Sequence, residues 1–435
     1  MNRYSRRRVL GGTATGAFAG LTGCLGDSDP GASGPRPVPS DDERVDWKVV
    51  FDAPVTHRPA LADGTVYVAA GTVAYGQDRS DQTGPLVALA AADGEIQWET
   101  SLSQPPADYP RTHDGDCYLV TGTSNGIAGV DQHLRRFGAG GSEQWDTDPV
   151  DSFLHLLGFG DGTAYLGTSD DEIGVSGQSL FGTALADGSR EWEIDAGDAT
   201  RGWFHDGQLL VESGMRSLAA HDPADGTERW FFEGEPLYDS HRRLARADGT
   251  AFVEPPGDAR GIASLDLADG STGWSILPED VPTFTTTGAA TDGDHLVVTE
   301  YGGYVLGVDP ADGTELWRFR ADGETRDEPV LGDGVTYVGT HGGSVYALDA
   351  ATGEKQWSRP AGGRLTRLSI DGGNLVAFTS PKESGGLVSF DASDGTERWR
   401  YETSADLTRP VLGPEHVYVV DEREGAVLAL AREQA

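Results

Sequence analysis

The fold of this chain is decided by residues 333–357, DGVTYVGTHGGSVYALDAATGEKQW. The segments VTYV and VYAL are rich in β-branched and aromatic residues, which is typical of half-buried strands. The HGG between them predicts a tight turn, and DAATG predicts a second turn that leads to a third strand carrying Trp357. A single unit of this kind cannot bury its faces, so it needs neighbours.

Versions of this unit recur along almost the whole chain. In eight of them a glycine stands four residues before a tryptophan: Gly94 and Trp98, Gly141 and Trp145, Gly188 and Trp192, Gly226 and Trp230, Gly270 and Trp274, Gly313 and Trp317, Gly353 and Trp357, Gly395 and Trp399. Asp-Gly hairpin turns open the second strands with equal regularity, from Asp63-Gly64 to Asp371-Gly372. A strand-built repeat of about 40 to 50 residues predicts an all-β fold, a closed β-propeller of four-stranded blades.

The two ends of the chain complete each other. Trp47 lies on a tryptophan strand with no unit before it, whereas residues 409–430 form a unit with no tryptophan strand after it. We expect these halves to pair and close the ring, because closure removes the exposed sheet edges. Counting this composite unit gives nine.

Residues 347–357, ALDAATGEKQW, resemble the tryptophan-docking repeat of the PQQ-like (pyrroloquinoline-quinone repeat) β-propeller family. Residues 220–230 and 389–399 match nearly as well, and the resemblance covers about residues 45–431. It implies that the tryptophans pack between blades. Propellers of this family usually have seven or eight blades, so we expect eight or nine here. The second unit departs most from the repeat and is the one expected to fall short of a full blade.

The charge of the chain is strongly acidic. Asp and Glu number 70 against 33 Lys and Arg, for a net charge of −37, and only Lys48, Lys355 and Lys382 are lysines. This balance is typical of a protein that stays soluble in molar salt, and it predicts an extreme halophile, an archaeon. An acidic cation-binding surface is the alternative. Nucleic-acid binding is excluded, since the phosphate backbone requires a basic face.

The N-terminus predicts export. Ser5-Arg6-Arg7-Arg8-Val9-Leu10 resembles a twin-arginine signal, with Arg6 and Arg7 as its arginine pair. Leu21-Thr22-Gly23-Cys24 then resembles a lipobox whose Cys24 thiol accepts a lipid, although a chance cysteine in a cleaved peptide is the alternative.

Three segments follow from these patterns. We predict a signal peptide over residues 1–24, a disordered tether over residues 25–44 and the propeller over residues 45–435. The protein is then expected to be exported and lipid-anchored to the outer face of the cell membrane.

The sequence predicts no metal site and no cofactor. No Ca²⁺ loop, zinc-ligand spacing or nucleophile motif is present, and Cys117 lies in a strand pattern typical of a buried, inert thiol. The resembling dehydrogenases carry an adjacent-cysteine disulfide, which this chain lacks. Pyrroloquinoline quinone is therefore not expected, and the chain is predicted not to be an enzyme.

Arginine recurs shortly before the hairpin turns, at Arg58, Arg201, Arg243, Arg367 and Arg409. In the resembling propellers this segment begins the innermost strand, near the central funnel. A ring of guanidiniums there would form an anion- or partner-binding inner rim. The alternative is that each arginine pairs with a nearby acid such as Asp198 or Asp406 and only satisfies the rim.

The predicted function is that of a membrane-anchored, extracytoplasmic scaffold, monomeric and non-enzymatic, with an unidentified protein or cell-envelope component as partner. A ligand- or sugar-sensing module that uses the central funnel is the first alternative, and a quinone-dependent dehydrogenase is the second. Partner contacts are expected where the units deviate, at residues 80–84, 134–141, 170–177 and 255–260.

Overall fold

Tight Asp-Gly turns begin the blades. Asp63 and Gly64 both adopt left-handed backbone, with φ of 47° and 73°, and five further Asp-Gly pairs do the same. Two successive left-handed residues define a two-residue hairpin whose twist matches that of the strands it joins. Ala62 and Thr65 accordingly face each other across the first turn.

The computed structural model describes residues 34–40, 42–73, 82–124, 130–169, 178–213, 217–238, 244–255, 260–279, 281, 284–371, 373–380 and 385–432. The predicted export signal (Arg6, Arg7) and the predicted lipidation site (Cys24) lie outside these residues and stay predictions. Within them, 37 strands form nine antiparallel sheets. The predicted all-β propeller is therefore confirmed, with nine blades.

The first two strands, β1 (Arg36–Pro37) and β2 (Val45–Val50), belong to the last blade. Blade 1 comprises β3 (Ala60–Ala62), β4 (Thr65–Thr72), β5 (Gln82–Ala90) and β6 (Ile96–Ser101). Blade 2 comprises β7 (Arg111–His113), β8 (Asp116–Ser124), β9 (Val130–Phe137) and β10 (Glu143–Asp146). Blade 3 comprises β11 (Phe153–Gly160), β12 (Thr163–Ser169), β13 (Ser179–Ala184) and β14 (Arg190–Asp195). Blade 4 comprises β15 (Ala199–His205), β16 (Gln208–Ser213), β17 (Leu218–His221) and β18 (Glu228–Phe232). Blade 5 comprises β19 (Arg246–Ala247), β20 (Thr250–Val253), β21 (Ile262–Asp266) and β22 (Thr272–Ile276). Blade 6 comprises β23 (Thr286–Thr291), β24 (Leu296–Glu300), β25 (Tyr304–Val308) and β26 (Glu315–Arg320). Blade 7 comprises β27 (Val330–Gly332), β28 (Val335–Gly339), β29 (Ser344–Asp349) and β30 (Lys355–Pro360). Blade 8 comprises β31 (Leu365–Asp371), β32 (Asn374–Thr379), β33 (Gly386–Asp391) and β34 (Glu397–Glu402). Blade 9 comprises β35 (Val411–Leu412), β36 (His416–Asp421) and β37 (Ala426–Ala431), together with β2 and β1.

The second unit forms a complete blade. Its four strands pair in the order β7-β8-β9-β10, with a register shift between Glu143 and Trp145. The expectation that this unit would fall short is therefore wrong: its tryptophan strand pairs with the same shift that the regular unit shows between Lys355 and Trp357, so the irregular sequence keeps the ladder of the other blades. The predicted loop at residues 134–141 is also too long, since β9 runs to Phe137.

The ring closes where the sequence predicts. Strand β2 pairs with β37, so that Trp47 faces Ala429 across a ladder made from the two ends of the chain. Arg36 pairs with Val50, so β1 adds a fifth strand from within the stretch predicted as a tether. Two side-chain contacts cross the same closure: His416 Nε2 lies 2.8 Å from Asp46 Oδ2, and Lys48 forms a salt bridge with Glu424.

Tryptophans join consecutive blades. Eight indole N–H groups donate to a backbone carbonyl of the next blade at 2.9–3.1 Å: Trp47 to Ala91, Trp145 to Leu185, Trp192 to Pro223, Trp230 to Leu267, Trp274 to Pro310, Trp317 to Ala350, Trp357 to Ala392 and Trp399 to Arg432. The glycine of each repeat packs against the tryptophan of the preceding blade, as Gly353 does against Trp317. Trp98 packs on Gly141 in the same way, but in the described residues its N–H makes no such hydrogen bond. Blade 2, the irregular one, is the blade on which it docks.

Cys117 is 1% exposed, as its strand pattern predicts, and burial raises the pKa of its thiol. The part of the chain that the structure describes has no helix with the length and apolarity needed to cross a bilayer.

Candidate functional site: an arginine-lined cavity

The first strand of each blade lies innermost. First strands of consecutive blades contact one another, as β3 does with β7, β11 with β15 and β27 with β31. These strands therefore surround the central channel, and the segments that lead into them lie at its mouth.

A cavity of about 470 Å³ opens at this mouth. The segments that begin blades 9, 1, 2, 3 and 4 supply its lining: Arg58, Asp108, Tyr109, Arg111, His155, Leu156, Leu157, Thr200, Arg201, Gly202, Trp203 and Arg409. The lining carries four guanidiniums and one carboxylate. This local excess of positive charge stands in a chain of net charge −37.

The structure brings three of the five predicted arginines together. Arg58, Arg201 and Arg409 line the cavity, whereas Arg367 is not part of its lining and Arg243 lies outside the described residues. Sequence reasoning missed Arg111. It stands three residues before Asp114, whereas Arg58 stands five before Asp63, so the altered spacing hid an arginine of the same inner segment.

Tyr109 organises two of the arginines. The guanidinium carbon of Arg58 lies 4.0 Å from the centroid of the Tyr109 ring, and that of Arg111 lies 4.8 Å from it. Stacking on an aromatic ring fixes the plane of a guanidinium and leaves its edge N–H groups available. Neither arginine forms a salt bridge with a carboxylate in the described residues, and the buried Nε of Arg111 has no hydrogen-bond partner there.

Arg201 is neutralised by its neighbour. Its Nη1 donates to Glu212 Oε2 at 2.7 Å, and its guanidinium lies 5.2 Å from the Tyr238 ring centroid. Burial opposes the charged form of Arg201, but Glu212 and Tyr238 outweigh this and raise its pKa. The predicted alternative, pairing with an acid, thus holds for Arg201, although Glu212 is the partner and Asp198 is not.

The pairing of Arg201 with Glu212 was available from the sequence. The two residues face each other across β15 and β16, in the register that a two-residue turn at Asp206-Gly207 dictates. Counting outward from that turn places Glu212 opposite Arg201.

His155 adds a neutral polar group to the cavity wall. Its Nε2 lies 2.7 Å from Ser169 Oγ. Burial lowers the pKa of His155; Asp108 and Asp198 oppose this shift, and Arg111 and Arg201 reinforce it. The imidazole is therefore uncharged at neutral pH, and the positive charge of the cavity comes from the arginines.

An acidic cavity of about 480 Å³ adjoins the first and shares Arg201 with it. Its carboxylates come from blades 4, 5 and 7 and are Glu212, Glu235, Glu254 and Glu328. The channel lining is thus cationic along one arc and anionic along the other. No group of three or more His, Cys, Asp or Glu side chains within the described ranges is arranged to hold a metal ion.

The fold and this cavity define a nine-bladed β-propeller with a charged channel mouth. The chain belongs to the family of the outer membrane protein assembly factor BamB, whose family model matches residues 38–202, 176–285 and 258–435. The resemblance to PQQ-like repeat propellers is thereby confirmed.

Individual relatives match shorter segments. BamB of Burkholderia pseudomallei is 28% identical over 156 residues, which is 34% of this chain and 41% of that protein. The quinohemoprotein alcohol dehydrogenase ADH IIB of Pseudomonas putida is 35% identical over 133 residues, 26% of this chain and 19% of that enzyme. The chain therefore spans less than half the length of these curated relatives.

Among solved structures, BamB from Moraxella catarrhalis superposes with a TM-score of 0.51 at 16% identity, covering 76% of this chain and 99% of that one. At this identity the likeness concerns the fold alone.

Proposed function

We propose that this protein is a non-enzymatic binding scaffold, exported, anchored through a lipid on Cys24 and held at the outer face of the cell membrane, where it binds a protein or another envelope component. The observation that carries the proposal is the family match, which reaches from residue 38 to residue 435 and describes a protein assembly factor. The acidic composition agrees with a halophilic source, in which screening by salt removes the self-repulsion of the chain.

Within each repeat, the residues that all units share and the residues at the channel mouth have separate roles, and this separation supports a scaffold. The glycines and tryptophans that make the units alike are occupied inside the ring, where they join one blade to the next. Residues that differ between units gather at the channel mouth, as the arginines of blades 1, 2, 4 and 9 do. The blades beneath this surface are joined by indole hydrogen bonds, and a preorganised surface loses little conformational entropy when a partner binds.

Location is tested first, with the full-length chain in its own cells. Wild-type protein is expected in the membrane fraction. Cys24→Ala should shift it to the exported soluble fraction, and replacing both Arg6 and Arg7 with lysine should retain it inside the cell. A Cys24→Ala variant that still fractionates with membranes would contradict the lipid anchor.

Partner binding is tested by crosslinking intact cells in molar KCl and capturing the full-length chain. We expect one crosslinked protein to recur with the wild type and to be lost when the Arg6 and Arg7 substitutions keep the chain inside. Recovery of no specific partner would overturn the scaffold proposal. Alcohol oxidation by the purified protein supplied with pyrroloquinoline quinone and Ca²⁺ would overturn it in favour of a dehydrogenase.

A ligand-sensing role is the second candidate function. The arginine-lined cavity favours it, because a concave site with converging polar groups is the usual form of a small-molecule site.

A further inference from the structure

We infer that the arginine-lined cavity binds a small organic anion that carries at least two carboxylates. This inference gives the ligand class for the second candidate function, ligand sensing at the same cavity, and does not depend on the scaffold role.

The first argument is charge. Arg58 and Arg111 both stack on Tyr109, so their guanidinium carbons lie no more than 8.8 Å apart. Like charges this close repel each other, and neither has a carboxylate partner in the described residues. The nearby carboxylate in the lining, that of Asp108, accepts the backbone N–H of Tyr109 at 2.7 Å. An anion between the two guanidiniums removes this repulsion.

The second argument is hydrogen-bonding geometry. Arg58 and Arg111 both lie over the Tyr109 ring, and each carries a planar fork of N–H groups that suits the two oxygens of a carboxylate. The buried Nε of Arg111 is a donor without a partner in the described part of the chain, and such a donor is costly until an acceptor reaches it. Two separate guanidiniums call for two carboxylates.

The third argument is size and polarity. The volume of about 470 Å³ falls within the range of small-molecule pockets. The partly buried Trp203 adds an aromatic side chain to the lining, which favours a carbon skeleton over a bare inorganic ion. A multidentate anion also holds its place in high salt better than a monovalent ion, since both of its ends must dissociate together.

The test is titration of the purified full-length protein with citrate by calorimetry, at constant ionic strength. We expect saturable binding to one site. Arg58→Gln and Arg111→Gln should each weaken it by at least about tenfold, the usual effect of losing a charged hydrogen bond. Arg367→Gln is the matched control: it removes an arginine of the same sequence pattern outside the cavity lining, and citrate affinity should stay within about twofold of wild type.

Arg58→Lys is the control for a variant that loses affinity only because it misfolds. It keeps the positive charge and loses only the planar guanidinium group. Its citrate affinity should lie between those of wild type and Arg58→Gln, with an unchanged thermal midpoint. Absence of citrate binding overturns the inference, as does an equal loss in Arg367→Gln. Binding of sulfate or acetate as tight as that of citrate overturns the dicarboxylate class. Any of these results leaves the crosslinking outcome of the scaffold test unaffected.

Discussion

At the scale of single residues, the glycine of each repeat has two separate reasons to be glycine. Gly353 has a φ of +70°, and a Cβ on it would lie 2.5 Å from Cε3 of Trp317 in the preceding blade. Gly334 has nearly the same φ, +72°, but a Cβ there would have nothing within 4 Å. The pair therefore separates backbone strain from steric contact between blades.

Gly353→Ala should destabilise the protein more than Gly334→Ala. Both variants incur the left-handed backbone penalty, about 1–2 kcal/mol. Gly353→Ala additionally displaces the Trp317 indole, and overpacking of this kind costs about 1–3 kcal/mol. The measurement is the free energy of unfolding of each variant and of the wild type in denaturant, in molar KCl. Equal losses in the two variants would show that the indole yields without cost.

A second residue, His221, predicts a loss of stability in mild acid. His221 is 2% exposed, its Nδ1 lies 3.0 Å from the Gly226 carbonyl oxygen, and burial lowers its pKa. The unfolded chain then binds a proton more readily than the folded one. Stability is therefore unaffected above about pH 6.5 and falls as the pH drops from there towards the folded pKa, by up to about 1.4 kcal/mol per pH unit.

The matched variant is His221→Gln, which keeps a donor for Gly226 and does not titrate. Between pH 7.5 and 5.5 it should lose less stability than wild type. Part of the acid sensitivity remains, because burial also lowers the pKa of His57 and His155. Identical pH profiles for the two proteins would contradict a contribution from His221.

At the scale of elements, the hydrogen bond from each tryptophan to the next blade joins neighbouring sheets. Trp317 donates to the Ala350 carbonyl at 2.9 Å, whereas Trp98 makes no equivalent bond in the described residues. Trp317→Phe should therefore cost about 1–3 kcal/mol more than Trp98→Phe, because it leaves a carbonyl unsatisfied. Trp317 is buried and Trp98 only partly so, and the loss of ring volume therefore adds to the difference in the same direction. Unfolding midpoints in denaturant give the comparison, and a larger loss for Trp98→Phe would be the contrary result.

The elements were largely predictable and the site only in part. Strands and hairpins follow from chemistry within a few residues, such as the left-handed Asp63-Gly64 turn. The contact of Gly353 with Trp317 joins two blades and cannot be read from the spacing of Gly353 and Trp357. Arg111 was not predicted because its spacing from the Asp-Gly turn differs from that of the predicted arginine Arg58. The acidic cavity was not predicted because its four carboxylates come from three blades and share no sequence pattern.

At the scale of the whole molecule, closure turns nine sheets into a ring without a free inner blade edge. The closing strand β2 supplies Trp47, which donates a hydrogen bond to Ala91 in blade 1, and the contacts of Asp46 with His416 and of Lys48 with Glu424 join β2 to the rest of blade 9. Removing residues 34–50 would expose the edge of β37, whose side chains are almost all buried. An unpaired apolar edge recruits other strands, so this truncated chain should form oligomers or aggregates and unfold at lower temperature.

Removing only residues 25–33, which precede the ring, should leave a monomer with an unchanged midpoint of thermal unfolding. Light scattering and thermal unfolding in molar KCl measure both effects. A monomeric, fully stable chain without residues 34–50 would mean that a three-stranded ninth blade suffices and that the N-terminal strand does not hold the ring closed.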